Sequence, residues 1–220
     1  MEDNYILSHV DHTLLAPTAT WSDIEKLCNE AIKYKTASVC IPPCYVKPVR
    51  EMYADLIICT TIGFPLGYDV LATKMLATQA AIESGADEID MVINITNVKN
   101  NNYADIKTEI QVLKQVTEEK ILKVIIETCY LTEPEKITLC KIVTEAGADY
   151  IKTSTGFGTA GATLEDIRLF KAHIGPDVKM KAAGGIRSRE DMVAFLEAGC
   201  SRLGTSSDVK ILTEGKSEGY

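Results

Sequence analysis

The chain has 220 residues, of which 46% are hydrophobic and 25% are charged, and its formal net charge is −8. This length and composition are typical of one globular domain and argue against a disordered chain. The acidic excess argues against general binding to nucleic acids or anionic membranes, and the longest apolar runs are too short to span a bilayer.

The amino terminus, MEDNYILSHV, has no positively charged segment ahead of an apolar stretch, so no signal peptide is expected. The seven cysteines are scattered and form no CxxC pair. An odd, scattered set of cysteines is typical of a reduced protein, and the sequence therefore predicts a cytoplasmic location.

Strand-like and helix-like runs alternate along the chain. Strands are predicted near 6–13, 37–41, 56–62, 87–94, 121–127, 149–154, 178–183 and 201–204. Helical patterns lie between most of them, for example at 72–84, 103–117 and 162–174, and the weakest is at 45–54. Regular alternation predicts parallel strands with helices packed outside.

Eight such units in this length predict an α/β fold, a (β/α)8 TIM barrel. We expect a single domain over 1–220 with a short carboxyl-terminal tail at about 212–220. A doubly wound open sheet is the alternative, but the first βα turn lacks the GxGxxG pattern of that fold.

A phrase recurs three times, as ESGADEID at 83–90, EAGADYIK at 145–152 and EAGCSRLG at 197–204. In each copy a helix ends at glycine and a strand follows. The fourth residue after the glycine is always apolar, and the fifth is Asp90, Lys152 or Gly204. Since strand side chains alternate between faces, Asp90 and Lys152 are predicted to point into the barrel at similar height.

Lys181, in DVKMKAAGGIR, is a third inward candidate, near the carboxyl end of its strand. A second ammonium group near Lys152, together with partial burial, would favour the neutral and nucleophilic form of that amine. The alternative is a structural ion pair between Lys152 and Asp90. The residue pattern alone leaves these two interpretations level.

The loops STGFG, AAGGIRS and GTSSD follow the last three strands, where this fold usually binds phosphate. Small residues let backbone N–H groups approach an anion, although such residues also occur in ordinary turns. The candidates for phosphate binding are Gly156, Gly184, Gly185, Gly204, Ser206 and Ser207.

Metal chemistry is not indicated, because His9, His12 and His173 form neither an HxH nor an HExxH pattern. No GxSxG motif occurs, so a serine hydrolase is unsupported. Cys40 lies at a strand end, where it either lines the pocket or is a small buried residue.

The motifs DHTLL (11–15), SVCIPPCYV (38–46), TIGFPLG (61–67), EIDMVIN (88–94), LKVIIET (122–128), IKTSTGFG (151–158), KAAGGIR (181–187) and RLGTSS (202–207) occur in this order. Together they resemble the deoxyribose-phosphate aldolase family across essentially the whole chain. The pair KTSTGFG and KAAGGIR is the most specific part of the resemblance.

The resemblance implies a class I aldolase on a TIM barrel, with no cofactor and no metal. It implies reversible cleavage of 2-deoxy-D-ribose 5-phosphate to D-glyceraldehyde 3-phosphate and acetaldehyde, in deoxynucleoside breakdown, by an enzyme that is commonly a homodimer. Lys152 corresponds to the Schiff-base lysine, Lys181 to the second active-site lysine and Asp90 to the proton-relay aspartate.

The resemblance adds Asp11 and Cys40 to the substrate pocket and Ile186 to the phosphate loops. It also makes the terminal residue, Tyr220, a candidate for proton transfer, because some family members end in a mobile tail with a terminal tyrosine. One departure is Pro42–Pro43, where bacterial relatives often have Asn-Pro.

The sequence is also compatible with two competing functions. One is another Schiff-base barrel, such as a transaldolase or a keto-deoxy-sugar-phosphate aldolase. The other is a barrel that binds a sugar phosphate without catalysis and uses Lys152 only as an ion-pair member.

Overall fold

The computed structural model describes residues 1–206 and 208–214. Its strands are β1 (Val10–Thr13), β2 (Ser38–Ile41), β3 (Ile58–Ile62), β4 (Glu88–Val92), β5 (Ile121–Ile125), β6 (Tyr150–Lys152), β7 (Lys179–Ala183) and β8 (Arg202–Thr205). Each strand pairs in parallel with the next, and β1 also pairs with β8. The sheet therefore closes on itself, and the predicted (β/α)8 TIM barrel is confirmed.

Helices lie between the strands. They are α1 (Asp3–Leu7), α2 (Trp21–Tyr34), α3 (Val46–Met52), α4 (Leu71–Glu83), α5 (Ile95–Lys99), α6 (Tyr103–Thr117), α7 (Glu133–Glu145), α8 (Leu164–His173), α9 (Arg189–Ala198) and α10 (Asp208–Glu214). The weakest predicted helix, at 45–54, is present as α3. Helix α10 extends past the expected start of the tail, and residues 215–220 lie outside the described residues. Among the described helices, none is long and apolar enough to cross a membrane.

The first strand is shorter than the predicted 6–13, because Ile6 and Leu7 belong to helix α1. Both side chains are buried. Adjacent residues on a strand point to opposite faces, whereas adjacent residues on a helix can share one buried side. The amide groups of Tyr5 and Ile6 donate to the carbonyl of Glu2, which begins the helix before the strand can start.

The repeated phrase has the predicted geometry. Its glycine has a positive φ in all three copies, 106° at Gly85, 78° at Gly147 and 112° at Gly199. Glycine adopts this conformation without a steric penalty and so ends the preceding helix. The fourth residue on is fully buried in the apolar layer between sheet and helices, as Ile89, Ile151 and Leu203. The fifth residue is Asp90 or Lys152 in the first two copies, and both side chains point into the barrel as predicted, where Nζ of Lys152 lies 2.7 Å from Oδ2 of Asp90.

A buried ion pair fastens the loop after β3 to the end of β4. Lys74, on α4, is fully buried, and its Nζ lies 2.6 Å from Oε1 of Glu109 on α6. The same Nζ donates to the carbonyl oxygens of Gly67 and Val92 at 2.7 Å each. Glu109 also accepts the backbone N–H of Asn94 at 3.1 Å. These contacts hold the start of two βα loops in one arrangement.

Replacing Lys74 with methionine should strongly destabilise the protein, because it leaves the Glu109 carboxylate buried without its partner. We expect the free energy of unfolding, measured by urea denaturation, to fall by about 3–5 kcal/mol. The matched control is Lys99→Met, which breaks the pair of Lys99 with Glu135, with the lysine side chain 43% exposed. That change should cost about 1 kcal/mol or less. Equal losses of unfolding free energy in the two variants would contradict the interpretation that the Lys74–Glu109 pair is buried and the Lys99–Glu135 pair is exposed.

Candidate active site

A cleft opens at the carboxyl-terminal end of the barrel, where the loops after β1, β6, β7 and β8 meet. Most of the side chains and glycines predicted for the site line it: Lys152, Gly156, Gly184, Gly185, Ile186, Gly204 and Ser206. Asp90, Lys181, Asp11 and Cys40 are fully buried inside the barrel and are not among its lining residues. The predicted residues Ser207 and Tyr220 lie outside the described residues.

The carboxylate of Asp90 is the meeting point of three lysines. Its Oδ2 accepts hydrogen bonds from Nζ of Lys152 and Nζ of Lys181, each at 2.7 Å. Its Oδ1 accepts from Nζ of Lys123 at 2.8 Å. Burial alone would raise the pKa of Asp90, but the three ammonium groups outweigh it and hold that pKa well below its usual range. Asp90 is therefore a fixed negative charge.

Lys181 is the second lysine that the sequence predicted beside Lys152. The two residues are register partners on β6 and β7, so their side chains rise next to each other. Lys181 also donates to Asp11 Oδ2. Burial lowers the pKa of Lys181, but the charges of Asp11 and Asp90 outweigh burial and raise the pKa above its usual value. Lys181 is thus an ammonium ion at neutral pH.

Three further charged residues of the inner wall were missed from the sequence: Lys123, Glu88 and Arg202. Nζ of Lys123 lies 2.6 Å from Oε2 of Glu88, and Nη2 of Arg202 lies 2.7 Å from Oε1 of Glu88. Glu88 precedes Asp90 by two positions, and Arg202 precedes Gly204 by two. The alternation that placed Asp90 inside would have placed both residues inside as well.

We call these inner-wall charges the barrel cluster, defined as Asp11, Glu88, Asp90, Lys123, Lys152, Lys181 and Arg202. It contains three carboxylates and four cationic groups. When every member is ionised, the cluster carries one positive charge in excess. One lysine can therefore be neutral without leaving a carboxylate uncompensated, and Lys152 is the lysine of the cluster that lines the cleft.

Cys40 is buried under the cleft rather than on its rim. It is the register partner of Cys59 on β3. The hydrogen bond from the Cys59 thiol lowers the pKa of Cys40, against the effect of burial. Donor atoms of Cys40, Cys59 and Asp90 lie within 4.8 Å of one another. A metal ion there would meet the ammonium groups that already neutralise Asp90, so these donors do not fit a cation site.

Two loops that line the cleft touch through glycines. The Cβ of any other residue at position 184 would lie 3.2 Å from the Cα of Gly156 and 3.3 Å from the Cα of Gly161. Gly184 also has a positive φ of 78°. Only glycine satisfies both conditions, so the AAGGIRS and STGFG loops can present their backbone N–H groups to the same space.

Glu127, which the sequence did not single out, holds the loop after β6. Its buried carboxylate accepts the Thr155 amide at 3.2 Å and the Thr155 hydroxyl group. Burial raises the pKa of Glu127, against the lowering by its bonds to Thr155. The residue belongs to the motif LKVIIET, but its contact with Thr155 forms only in the folded chain.

Lys123→Met should destabilise the protein, because it removes a fully buried cation that faces Asp11, Glu88 and Asp90. We expect a loss of about 3–5 kcal/mol in the free energy of unfolding at pH 7. The pKa values of Asp11 and Asp90 are lowered by Lys123 in the folded protein. In the variant these carboxyl groups take up protons at higher pH, so the loss should shrink as the pH falls below about 4.

Urea denaturation at pH 7 and at lower pH measures this dependence. The control is Lys47→Met, which removes an exposed lysine and should change stability by about 0.5 kcal/mol or less. If the stability lost in Lys123→Met did not depend on pH, the explanation that Lys123 stabilises the ionised forms of Asp11 and Asp90 would be contradicted.

Comparison with known proteins gives a consistent set of similarities. The model of the DeoC/LacD family aldolases matches residues 5–207. A Clostridium botulinum protein named deoxyribose-phosphate aldolase is 61% identical over the full length of both chains. A Clostridioides difficile protein of the same name is 57% identical, covering 98% of this chain and 99% of the relative.

Solved structures agree with the sequence relatives. One from Coccidioides immitis, described as a putative deoxyribose-phosphate aldolase, has a TM-score of 0.94 at 38% identity and covers 98% of this chain and 87% of its own. The deoxyribose phosphate aldolase of Aeropyrum pernix, described as having a unique tetrameric structure, has a TM-score of 0.91 at 30% identity, covering 97% of this chain and 92% of its own.

Proposed function

The chain belongs to the DeoC/LacD family of aldolases, and from this membership we propose that it reversibly cleaves 2-deoxy-D-ribose 5-phosphate to D-glyceraldehyde 3-phosphate and acetaldehyde. The observation that carries the proposal is the pair of lysines, Lys152 and Lys181, on one oxygen of Asp90 beneath a cleft whose rim consists of glycine-rich loops. The names of the full-length relatives support the same substrate.

Lys152 is the proposed nucleophile. Its neutral amine attacks C1 of the open-chain sugar to form a carbinolamine, and loss of water gives a protonated imine. Two features support this role: Lys152 lines the cleft, and the barrel cluster retains three cations for three carboxylates when its amine is neutral. Lys181 stays charged beside it, because Asp11 and Asp90 hold its proton.

The C2–C3 bond then breaks as the C3 hydroxyl group loses its proton. The bonding electrons move to C2 and into the imine, which becomes a neutral enamine, while C3 becomes the aldehyde of glyceraldehyde 3-phosphate. We assign the proton relay to Asp90 together with Lys181 and a water molecule. The low pKa of Asp90 keeps it ionised, so its carboxylate takes up this proton through the water and holds it only transiently, while the Lys181 ammonium group stays charged and orients the water.

Protonation at C2 and hydrolysis of the imine complete the reaction and release acetaldehyde. Tyr220 remains our predicted proton donor at C2. Asp11 and Cys40 remain predicted members of the substrate pocket, and Asp11 orients Lys181 through their shared hydrogen bond.

The loop residues Gly156, Gly184, Gly185, Ile186, Gly204, Ser206 and Ser207 are proposed to bind the phosphate group. Binding at this end is remote from the breaking bond, so it aligns the chain of the sugar for reaction. We further propose that the protein is a cytoplasmic homodimer that acts in deoxynucleoside breakdown. Light scattering of the purified protein tests the dimer against the tetramer described for the Aeropyrum pernix enzyme.

Borohydride added during turnover should trap the substrate on Lys152, because reduction of an imine gives a stable secondary amine. Peptide mass spectrometry identifies the modified residue. Lys152→Leu should abolish turnover of 2-deoxyribose 5-phosphate while the protein stays folded. Lys179→Leu, which changes an exposed lysine at the amino-terminal end of β7, is the matched control and should keep its activity. An adduct on another lysine would overturn the assignment.

Ser206→Ala should weaken use of the phosphate ester and spare unphosphorylated 2-deoxyribose. A hydrogen bond to a charged group contributes about 1.5–3 kcal/mol, so kcat/KM for the phosphate ester should fall by about 10- to 150-fold. Ser201→Ala, at the other end of β8, is the control and should be neutral. Equal losses with both substrates would show that Ser206 does not contact the phosphate.

A further inference from the structure

His12 lies on the outer side of β1, away from the barrel cluster, and bridges two helices. Its Nδ1 lies 2.7 Å from Oδ1 of Asp208, at the start of α10, and its Nε2 lies 3.0 Å from Oε2 of Glu30 on α2. His12 is 3% exposed and Asp208 is fully buried. The proposed reaction uses none of these three side chains.

Both ring nitrogens of His12 face carboxylate oxygens. A neutral imidazole carries one N–H group and can donate to only one of them, whereas the imidazolium ion donates to both. Burial lowers the pKa of His12, but the hydrogen bonds and charges of Asp208 and Glu30 outweigh burial and raise it. The geometry therefore suits the charged ring at neutral pH.

The bridge ends beside the loop after β8. Asp208 begins α10 two residues after Ser206, and both Thr205, the last residue of β8, and Ser206, which follows it, line the cleft. His12 is also the register partner of Thr205 across the β1–β8 pair. Oδ2 of Asp208 has no hydrogen-bond partner among the described residues, so the position of this carboxylate depends on His12.

We propose that the His12 imidazolium is a positioning residue that holds Asp208 and thereby fixes Thr205 and Ser206, at the end of β8, for the phosphate group of the substrate. This inference rests on the proposed function. When the ring loses one proton, it can donate a hydrogen bond to only one of the two carboxylates, and the other carboxylate is left without a donor. Thr205 and Ser206 are then held less firmly, and the KM for a phosphorylated substrate rises.

The other charged groups around the ring do not replace this proton. On α2, Lys26 lies 3.9 Å from Oε1 of Glu30 and is 71% exposed, so it compensates Glu30 only weakly. Asp23 of α2 and Lys210 of α10 line the same groove as His12. Folding raises the pKa of His12. The Asp208–His12–Glu30 bridge is therefore complete below about pH 6.5, the ordinary pKa of histidine, and is lost as the pH rises through the higher pKa of His12 in the folded protein.

The test measures kcat and KM from pH 6 to 9 for 2-deoxyribose 5-phosphate and for 2-deoxyribose, with wild type and His12→Gln. In wild type, the KM for 2-deoxyribose 5-phosphate divided by the KM for 2-deoxyribose should rise about three- to tenfold as the pH rises. In His12→Gln this KM ratio should already be raised at pH 6.5. Ionisation of the phosphate group itself affects both proteins equally and cancels when they are compared.

Asp208→Asn is the second variant, and it keeps the inference testable if His12→Gln does not fold. It preserves an acceptor for the ring but removes one negative charge, so the KM shift should move to lower pH. An unchanged pH dependence of the KM ratio in either folded variant, or an equal shift with both substrates, would overturn the inference. Absence of turnover and of borohydride trapping with both substrates at every pH would instead overturn the proposed function, and this inference with it.

Discussion

The carboxylate of Asp90 organises the interior of this protein. Three lysines from three other strands reach it, at 2.7 to 2.8 Å. Isolated charges at such depth would be strongly unfavourable, so each lysine requires this carboxylate or a neighbour of it. The closed barrel meets that requirement because register pairing brings Lys123 beside Asp90 and Lys181 beside Lys152.

The same arrangement separates two roles for similar side chains. Lys181 is bound by Asp11 and Asp90 together and retains its proton, whereas Lys152 lines the cleft and bonds to Asp90. Environment rather than residue type distinguishes the two lysines. The charge excess of the barrel cluster is consistent with one neutral amine, which is the form that the proposed Schiff-base chemistry uses.

Contacts outside the barrel cluster position the loops around this centre. The Lys74–Glu109 pair joins the loop after β3 to β4, Glu127 holds the loop after β6, and His12 joins α2 to the start of α10. Each is a buried polar group with a partner far away in the sequence. A buried polar group without a partner costs free energy, so arrangements of the loops that break these contacts are disfavoured.

The amino-acid sequence by itself determined the order of strands and helices, the inward direction of Asp90 and Lys152, and the glycine-rich loops, because these depend on local periodicity and on backbone conformations that favour glycine. Ile6 and Leu7 were misassigned because a short apolar pair fits either a strand or a helix until its packing is known. The tertiary structure alone decided which charges meet. Lys123, Glu127 and His12 acquire their roles from partners 18 to 196 positions away. No spacing rule predicts such pairs, since they depend on the closure and register of the barrel.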